Sequence, residues 1–492
     1  MRVLRVTRRG SKFPFAASLL LGAAAGFIGL TGAQAADLPG KAAPAEYVRI
    51  CDTYGAGFFF IPGTDTCLRI GGFVRADYTV NSNNGNATGP GGNGALNTSY
   101  FDQAYSTSVR LTLFTDARSN TEYGLLRAFG QFSAYRGAFS GSTSSQGLIN
   151  SGAGQSPRAS AISVERAFIQ FAGFTFGFSA SFFNFYQGDV QLSGNLAATA
   201  RSTTVLAYTA SFGSGFSATI SLEDQMYRRY GNGDAYAVTA GTAVALVRPV
   251  SGLGGMTYAG QNIPDVVANL RVDQGWGSVQ VMGALHQLRD FGYAQVGGPG
   301  TPATLRAGDK YGWAVGAGLR LNLDMLARGD VLWLQAVYSD GALDYAFGTA
   351  NQGGDRGTIS GAGNLAGVNA TNNQIRDAIV NTALVNPAIQ TTKAWSVAAG
   401  FRHFWTPALR SAIFGSYTHI DQPLASTLND IKYYTVGVNT VWSPVRNLDL
   451  GVEVVYHNLS NRTQAGGIPV FNGIARASEG AWVGTFRAQR NF

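Results

Sequence analysis

The sequence predicts an all-β fold, a transmembrane antiparallel β-barrel of about sixteen strands with short turns at one rim and long loops at the other. Three observations carry this. Apolar and polar residues alternate with period two along about sixteen segments. The links between those segments alternate short and long. The final segment, from Ala481 to Phe492, puts Trp482, Gly484, Phe486, Ala488 and Phe492 on one face and Thr485, Arg487, Gln489 and Asn491 on the other. At about ten to twelve residues it can cross hydrocarbon with a tilt. Trp482, Phe486 and Phe492 are therefore expected to mark the strand that closes the barrel.

The first 35 residues read as a signal peptide. Arg2, Arg5, Arg8, Arg9 and Lys12 precede an apolar run from Ala16 to Leu30 and a small-residue site, Ala33-Gln34-Ala35. Arg8-Arg9 fits twin-arginine export poorly, and a barrel must cross the inner membrane unfolded, so the general secretory route is expected. The leader holds five of the 36 basic residues and none of the 28 acidic ones. What remains is nearly balanced, so charge gives no support to a nucleic-acid partner. Beyond the leader no run of about 18 apolar residues occurs, which excludes helical spans. Only 13% of residues are charged, as suits strands whose apolar half faces lipid.

Cys51 and Cys67 are the only cysteines. In an exported chain they read as one disulfide. Free thiols and metal ligands are the alternatives, although the spacing suits no common zinc site. Residues 36–67 are expected to form a periplasmic segment holding that bridge, and 68–492 the barrel.

The expected strands are 68–80, 105–117, 121–135, 162–172, 174–183, 203–212, 216–224, 263–274, 277–288, 311–323, 330–338, 394–404, 409–419, 431–442, 448–457 and 481–492. The short turns fall at Arg118-Ser-Asn120, Gly173, Gly213-Ser-Gly215, Gly275-Trp276, near Arg328-Gly329, at Thr406-Pro407 and at Ser443–Asn447. The longest link is about 339–393. Lipid offers no partner to an open sheet edge, so the sheet must close. Sixteen strands enclose water, whereas about eight would be filled by side chains. Trp276, Trp313, Trp405 and Trp442 fall near strand ends, where aromatic girdles sit. Two stretches qualify the count: Ala235–Val247 reads as an extra strand or a packed loop, leaving eighteen strands open, and Gln374–Val380 as a short helix.

Catalytic and cofactor motifs are missing. His286, His403, His419 and His457 are scattered, without metal spacing or a nucleophile. Gly361–Gly367 matches a dinucleotide glycine pattern by count only, with no strand–helix unit around it. No enzyme activity, cofactor or metal is expected.

With the strands placed, Tyr47–Arg75, Arg166–Phe174, Ser181-Phe-Phe-Asn-Phe-Tyr186 and Pro264–Asp273 make the chain resemble the alphaproteobacterial general porin family from about Ala36 to Phe492. The resemblance implies a trimer in the outer membrane of a Gram-negative bacterium. Each subunit would pass small hydrophilic solutes and ions, and the closing strand would be read by the barrel-assembly machinery. It also implies a third external loop folded inward after strand five, here about Asn184–Arg201. The only carboxylate on that loop is Asp189, with Asn184, Gln187 and Gln191 beside it. Opposite it, alternation turns Arg69, Arg75, Arg110, Arg127 and Arg166 inward, with Arg271 and Arg320 as lesser candidates. A rival reading has these arginines merely bridging strands through Asp77 and Asp116. A loop so poor in acid argues against strong cation selectivity. Phe73, Phe114, Tyr123 and Phe129 also fall on the inward face, which keeps open a sugar-specific facilitator on the same barrel. A barrel with a plugged lumen and adhesive loops is a third reading.

Overall fold

The computed structural model describes residues 49–81, 105–137, 159–186, 188–192, 196, 202–229, 236–240, 243–247, 253–255, 258–290, 293–294, 304–305, 307–347, 375–381, 388–423, 428–463 and 478–492. Val48–Phe492 forms one unit; the leader and its cleavage site lie outside the described residues.

Sixteen strands form one closed antiparallel sheet. They are β1 (Cys67–Asn81), β2 (Tyr105–Thr121), β3 (Gly124–Gly137), β4 (Ala159–Phe171), β5 (Phe174–Ala180), β6 (Ser202–Gly213), β7 (Phe216–Glu223) and β8 (Asp265–Gln274). Then come β9 (Gly277–Arg289), β10 (Asp309–Asn322), β11 (Val331–Asp340), β12 (Lys393–Thr406), β13 (Leu409–Asp421), β14 (Leu428–Val445), β15 (Leu448–Thr463) and β16 (Ser478–Asn491). Each pairs with its neighbours in the chain, and β16 returns to β1 with Tyr78 opposite Phe486. Phe492 completes the seam through reciprocal backbone hydrogen bonds with Gly72.

Every expected segment overlaps one of these strands, because a wall between lipid and water imposes period two on each. In β1, Ile70, Val74, Tyr78 and Val80 are exposed on the lipid side. Arg69, Phe73, Arg75, Asp77 and Thr79 alternate with them on the lumen side. Two short turns have left-handed residues at both central positions: Ala172-Gly173 with φ of 50° and 86°, and Ser214-Gly215 with 49° and 75°. Such turns match the twist of the strands they join. Gly215 is needed twice over, since a Cβ there would lie 1.8 Å from the Asp273 carbonyl oxygen.

Aromatic contacts ring the long-loop rim. Trp313 meets Tyr338 at 5.4 Å, Trp395 meets Tyr417 at 5.2 Å, and Tyr456 meets Trp482 at 4.7 Å. Trp276, Trp405 and Trp442 stand exposed at the short-turn rim. These two belts flank the apolar band, as interfacial aromatics do.

Three local expectations need correction. The turn after β2 is Glu122-Tyr123 rather than 118–120, because the Thr121 hydroxyl satisfies the turn through Tyr123 N and Gly124 O. Tyr123 therefore leaves the lumen and packs at the rim against Phe171. The stretch 235–247 is a separate hairpin, Tyr236–Ala240 against Ala243–Val247, so the barrel has sixteen strands rather than eighteen. Finally, the described part of the 374–380 stretch, 375–380, is no helix: Ala378–Asn381 is the middle strand between Leu253–Gly255 and Ala388–Thr391. Those pairings reach far along the chain and override the local pattern.

At the short-turn rim, Cys51 and Cys67 form the disulfide, and the two-residue strand Phe59–Phe60 pairs with the start of β1. The Arg118 guanidinium lies 4.9 Å from the Phe58 ring centroid and seats this segment against β2.

Candidate pore constriction

The chain leaves β5 at Ser181 and runs along the inner wall. Its backbone is bonded in sequence to successive strands. Phe182 N donates to Glu223 Oε1 of β7 at 2.9 Å, and Phe182 O accepts from Asn269 Nδ2 of β8 at 2.6 Å. Tyr186 N donates to Gln335 Oε1 of β11 at 2.9 Å. Val190 O accepts from Asn439 Nδ2 of β14 at 2.8 Å, and Leu192 N donates to Glu453 Oε2 of β15 at 2.5 Å. Last, Leu192 O accepts from Arg487 Nη1 of β16 at 2.8 Å. A loop without secondary structure has no backbone partners of its own, and inward polar side chains supply them.

Small wall residues make room for its apolar side chains. A Cβ on Gly318 would sit 2.1 Å from the Phe185 ring; one on Gly400 or Gly451 would crowd Val190 or Leu192. Phe183, Phe185, Tyr186, Val190 and Leu196 are buried, and Trp333 packs against Phe185 and Tyr186 at 5.3 and 5.4 Å. Asp189 alone among the loop's described charges reaches the lumen, with its side chain 38% exposed and an oxygen 3.7 Å from Arg402 Nη1.

The other wall, β1–β4, carries most of the expected arginines. Arg75 and Arg110 lie directly opposite each other in register, in one row with Tyr135 and Gln489. Arg75 Nε donates to Gln489 Oε1 at 2.8 Å. Arg110 is ion-paired with Glu165. That carboxylate also accepts from Tyr135 Oη at 2.5 Å and Gln131 Nε2 at 2.8 Å. Glu165 sits in a β-bulge, where the pairing steps from Gln131–Arg166 to Phe132–Val164. Three inward rows toward the short-turn rim, Asp116 accepts both Arg118 and Arg127, the latter at 2.8 and 3.0 Å. Arg69 and Arg166 have no ion pair among the described residues. Arg271 is bonded to Asp273, and Arg320 lies over Trp333.

The five expected arginines are thus on one wall, but none is the ion-pair partner of Asp189. Arg402 is, and it was missed although it lies on the inward face of β12. Asp116 does bridge strands, as the rival reading requires, and Asp77 accepts two hydrogen bonds from Arg487 of β16. Glu165 was also missed. Its signal was an extra residue in the apolar spacing between Val164 and Ala167.

Above the loop root, on the long-loop side, Arg228 binds Glu223 at 3.1 Å and Asp344 at 3.3 Å and stacks 4.3 Å from Tyr345. Tyr345 Oη donates to Asp265, which also holds His286. Tyr258 Oη donates to Asp377, whose other oxygen accepts Leu343 N. Burial, joined by Asp377, pushes the Tyr258 phenol well above its ordinary range; burial does the same for Tyr345. Burial alone would lower Arg228, but Tyr345, Glu223 and Asp344 together hold it above its ordinary value. The cap is a connected charge network in which Arg228 Nε alone of that guanidinium's nitrogens is buried without a partner, and Glu223 joins it to the root of the inward loop.

Residues 36–485 match the family model described as the porin subfamily. Porin Omp2b of Brucella suis biovar 1 (strain 1330) is 33% identical over 335 residues, covering 66% of this chain and 84% of the relative. Porin Omp2b of Brucella neotomae is 34% identical over 267 residues, covering 53% and 63%. Among solved structures, the outer membrane channel DcaP of Acinetobacter baumannii superposes with a TM-score of 0.54 at 15% identity, covering 88% of this chain and 99% of that one; this likeness speaks for the fold alone. A closed sixteen-stranded barrel with a lipid-facing apolar band, together with these matches, identifies the chain as a member of the porin subfamily, an outer-membrane channel protein.

Proposed function

We propose that each barrel is a general diffusion pore for small hydrophilic solutes and ions, narrowed between the inward loop and the arginine row of β1–β4. The observation that supports this reading most is the loop itself, whose described residues are fastened by their backbone to strands from β7 to β16. Fixed charges on opposite sides of a narrow passage select by sign. Asp189 supplies the negative side and Arg75, Arg110, Arg127, Arg166 and Arg69 the positive side, with Asp116 and Glu165 offsetting part of it. The balance favours weak anion preference. Assembly as a homotrimer in outer-membrane lipid, with insertion through the strand bearing Trp482, Phe486 and Phe492, belongs to the same proposal, as does the lack of any catalytic step.

The test is the reversal potential of single channels across a KCl gradient. Asp189→Asn is expected to move it toward anions without altering assembly; an unchanged reversal potential would remove Asp189 from the constriction. A specific facilitator remains the second reading, favoured by a polar recess of roughly 300 Å³ beside the loop root, lined by Gln170, Thr175, Thr209, Asn269, Arg271 and Gln280.

A further inference from the structure

The wall of β2–β4 carries a feature that general diffusion does not use. Phe114, Phe129 and Phe168 form a continuous shelf on the lumen side. Phe114 and Phe129 are 6.1 Å apart with planes 20° from parallel, and Phe129 and Phe168 are 5.2 Å apart at 25°. All three rings are half-buried, so each keeps surface toward the water-filled space. Phenyl rings gain nothing from facing water, and three stacked on adjacent strands offer a continuous apolar row of ring edges, the part of a phenyl group that meets another ring's face.

Guanidinium groups lie over the faces of these rings. Arg69 lies 5.6 Å from the Phe114 centroid, and Arg127 lies 5.0 Å from Phe129 and 5.4 Å from Phe168. Arg127 is committed to Asp116 and to Gln170 Oε1 at 3.0 Å. Arg69 and Arg166 are not so committed: neither has an ion pair among the described residues. Arg166 stands two residues before Phe168 on the same inward face of β4. A row of ring edges beside two planar cations that lack an ion pair complements one ligand chemistry, a small aromatic carboxylate. Its ring would lie along the phenyl shelf, and its carboxylate would accept from the guanidinium edges. A sugar would use the shelf but leave both cations without an anion.

We infer that the Phe114–Phe129–Phe168 shelf with Arg69 and Arg166 is a binding subsite for small aromatic carboxylates in the lumen. The inference goes beyond the general-pore reading but rests on it.

The test records single-channel KCl conductance in planar bilayers while benzoate, cyclohexanecarboxylate, acetate or glucose is added. Cyclohexanecarboxylate matches benzoate in charge and size but lacks the flat ring. Benzoate is expected to half-block at a concentration about three- to tenfold lower than cyclohexanecarboxylate. Phe129→Leu or Phe168→Leu should abolish that difference while leaving KCl conductance unchanged; should one variant fail to assemble, the other is decisive. Arg166→Gln should weaken block by both carboxylates about two- to fivefold. Equal potency of the two carboxylates, a benzoate preference untouched by the leucine variants, or block by glucose alone would overturn the proposal with the pore reading intact. Absence of KCl conductance in the unaltered protein would overturn both.

Discussion

The two halves of the inner wall are built from the same alternation and do opposite things. On β8–β16, glycines, amides and carboxylates such as Gly318, Asn269, Gln335 and Glu453 hold the loop against the wall. On β1–β4, arginines and phenylalanines are prominent among the inward positions, beside Asp77, Asp116 and Glu165. Gly318, Gly400 and Gly451 admit Phe185, Val190 and Leu192, whereas Arg75 and Arg110 stand opposite each other in register on β1 and β2. The difference teaches that inward polarity in a barrel has two uses: satisfying a packed loop, or charging a passage. Side-chain size decides which.

The largest test of this contrast is Arg487→Ala. Arg487 joins the halves, holding Asp77 of β1 at 2.6 and 2.9 Å while donating to Leu192 O of the loop. Its loss strands a largely buried carboxylate, and destabilisation of about 3 kcal/mol is expected, read as earlier thermal loss of the heat-modifiable folded band on gels. Normal melting and quiet single channels would break the idea that the loop end is fastened there. Next is Gly318→Val, which drives a side chain into Phe185. A cost of about 1–3 kcal/mol and noisier open-channel current are expected; the same change at Gly130, whose Cβ would meet only Thr115 Oγ1 at 3.4 Å, should leave the current quiet.

The smallest effect is alkaline. The raised Tyr258 and Tyr345 phenols stabilise the cap fully below their unfolded value of about 10. That contribution is lost as pH climbs from there through the higher folded values. Hydrogen exchange at the Phe182 and Leu343 amides, both bonded to carboxylates of the cap, should accelerate above that pH while the β1–β2 ladder stays protected. Equal behaviour of both regions would remove the cap's tie to the loop root.

Much of the barrel was legible because its cause is local. Lipid on one side and water on the other act on each strand separately, so Ile70, Val74 and Tyr78 announce their face without reference to any partner. The wall of Arg69, Arg75, Arg110, Arg127 and Arg166 was legible for the same reason. What escaped was pairing at a distance. Asp189 was placed on the inward loop, but its partner Arg402 required knowing where the loop lies. The Gln374–Val380 stretch misled because its partners, 253–255 and 388–391, are supplied by other loops.

By itself, then, the sequence determined the fold class, a count of about sixteen strands with eighteen left open, the rim that carries short turns and the sign of the charge on β1–β4. Period-two alternation and turn chemistry are written within a dozen residues. Tertiary structure alone decided which wall the loop covers and which charges stay uncommitted. Tyr186 meets Gln335 across 149 positions and Leu192 meets Glu453 across 261. Contacts of that span depend on closure of the whole sheet, because only closure brings β5 and β15 to face the same lumen.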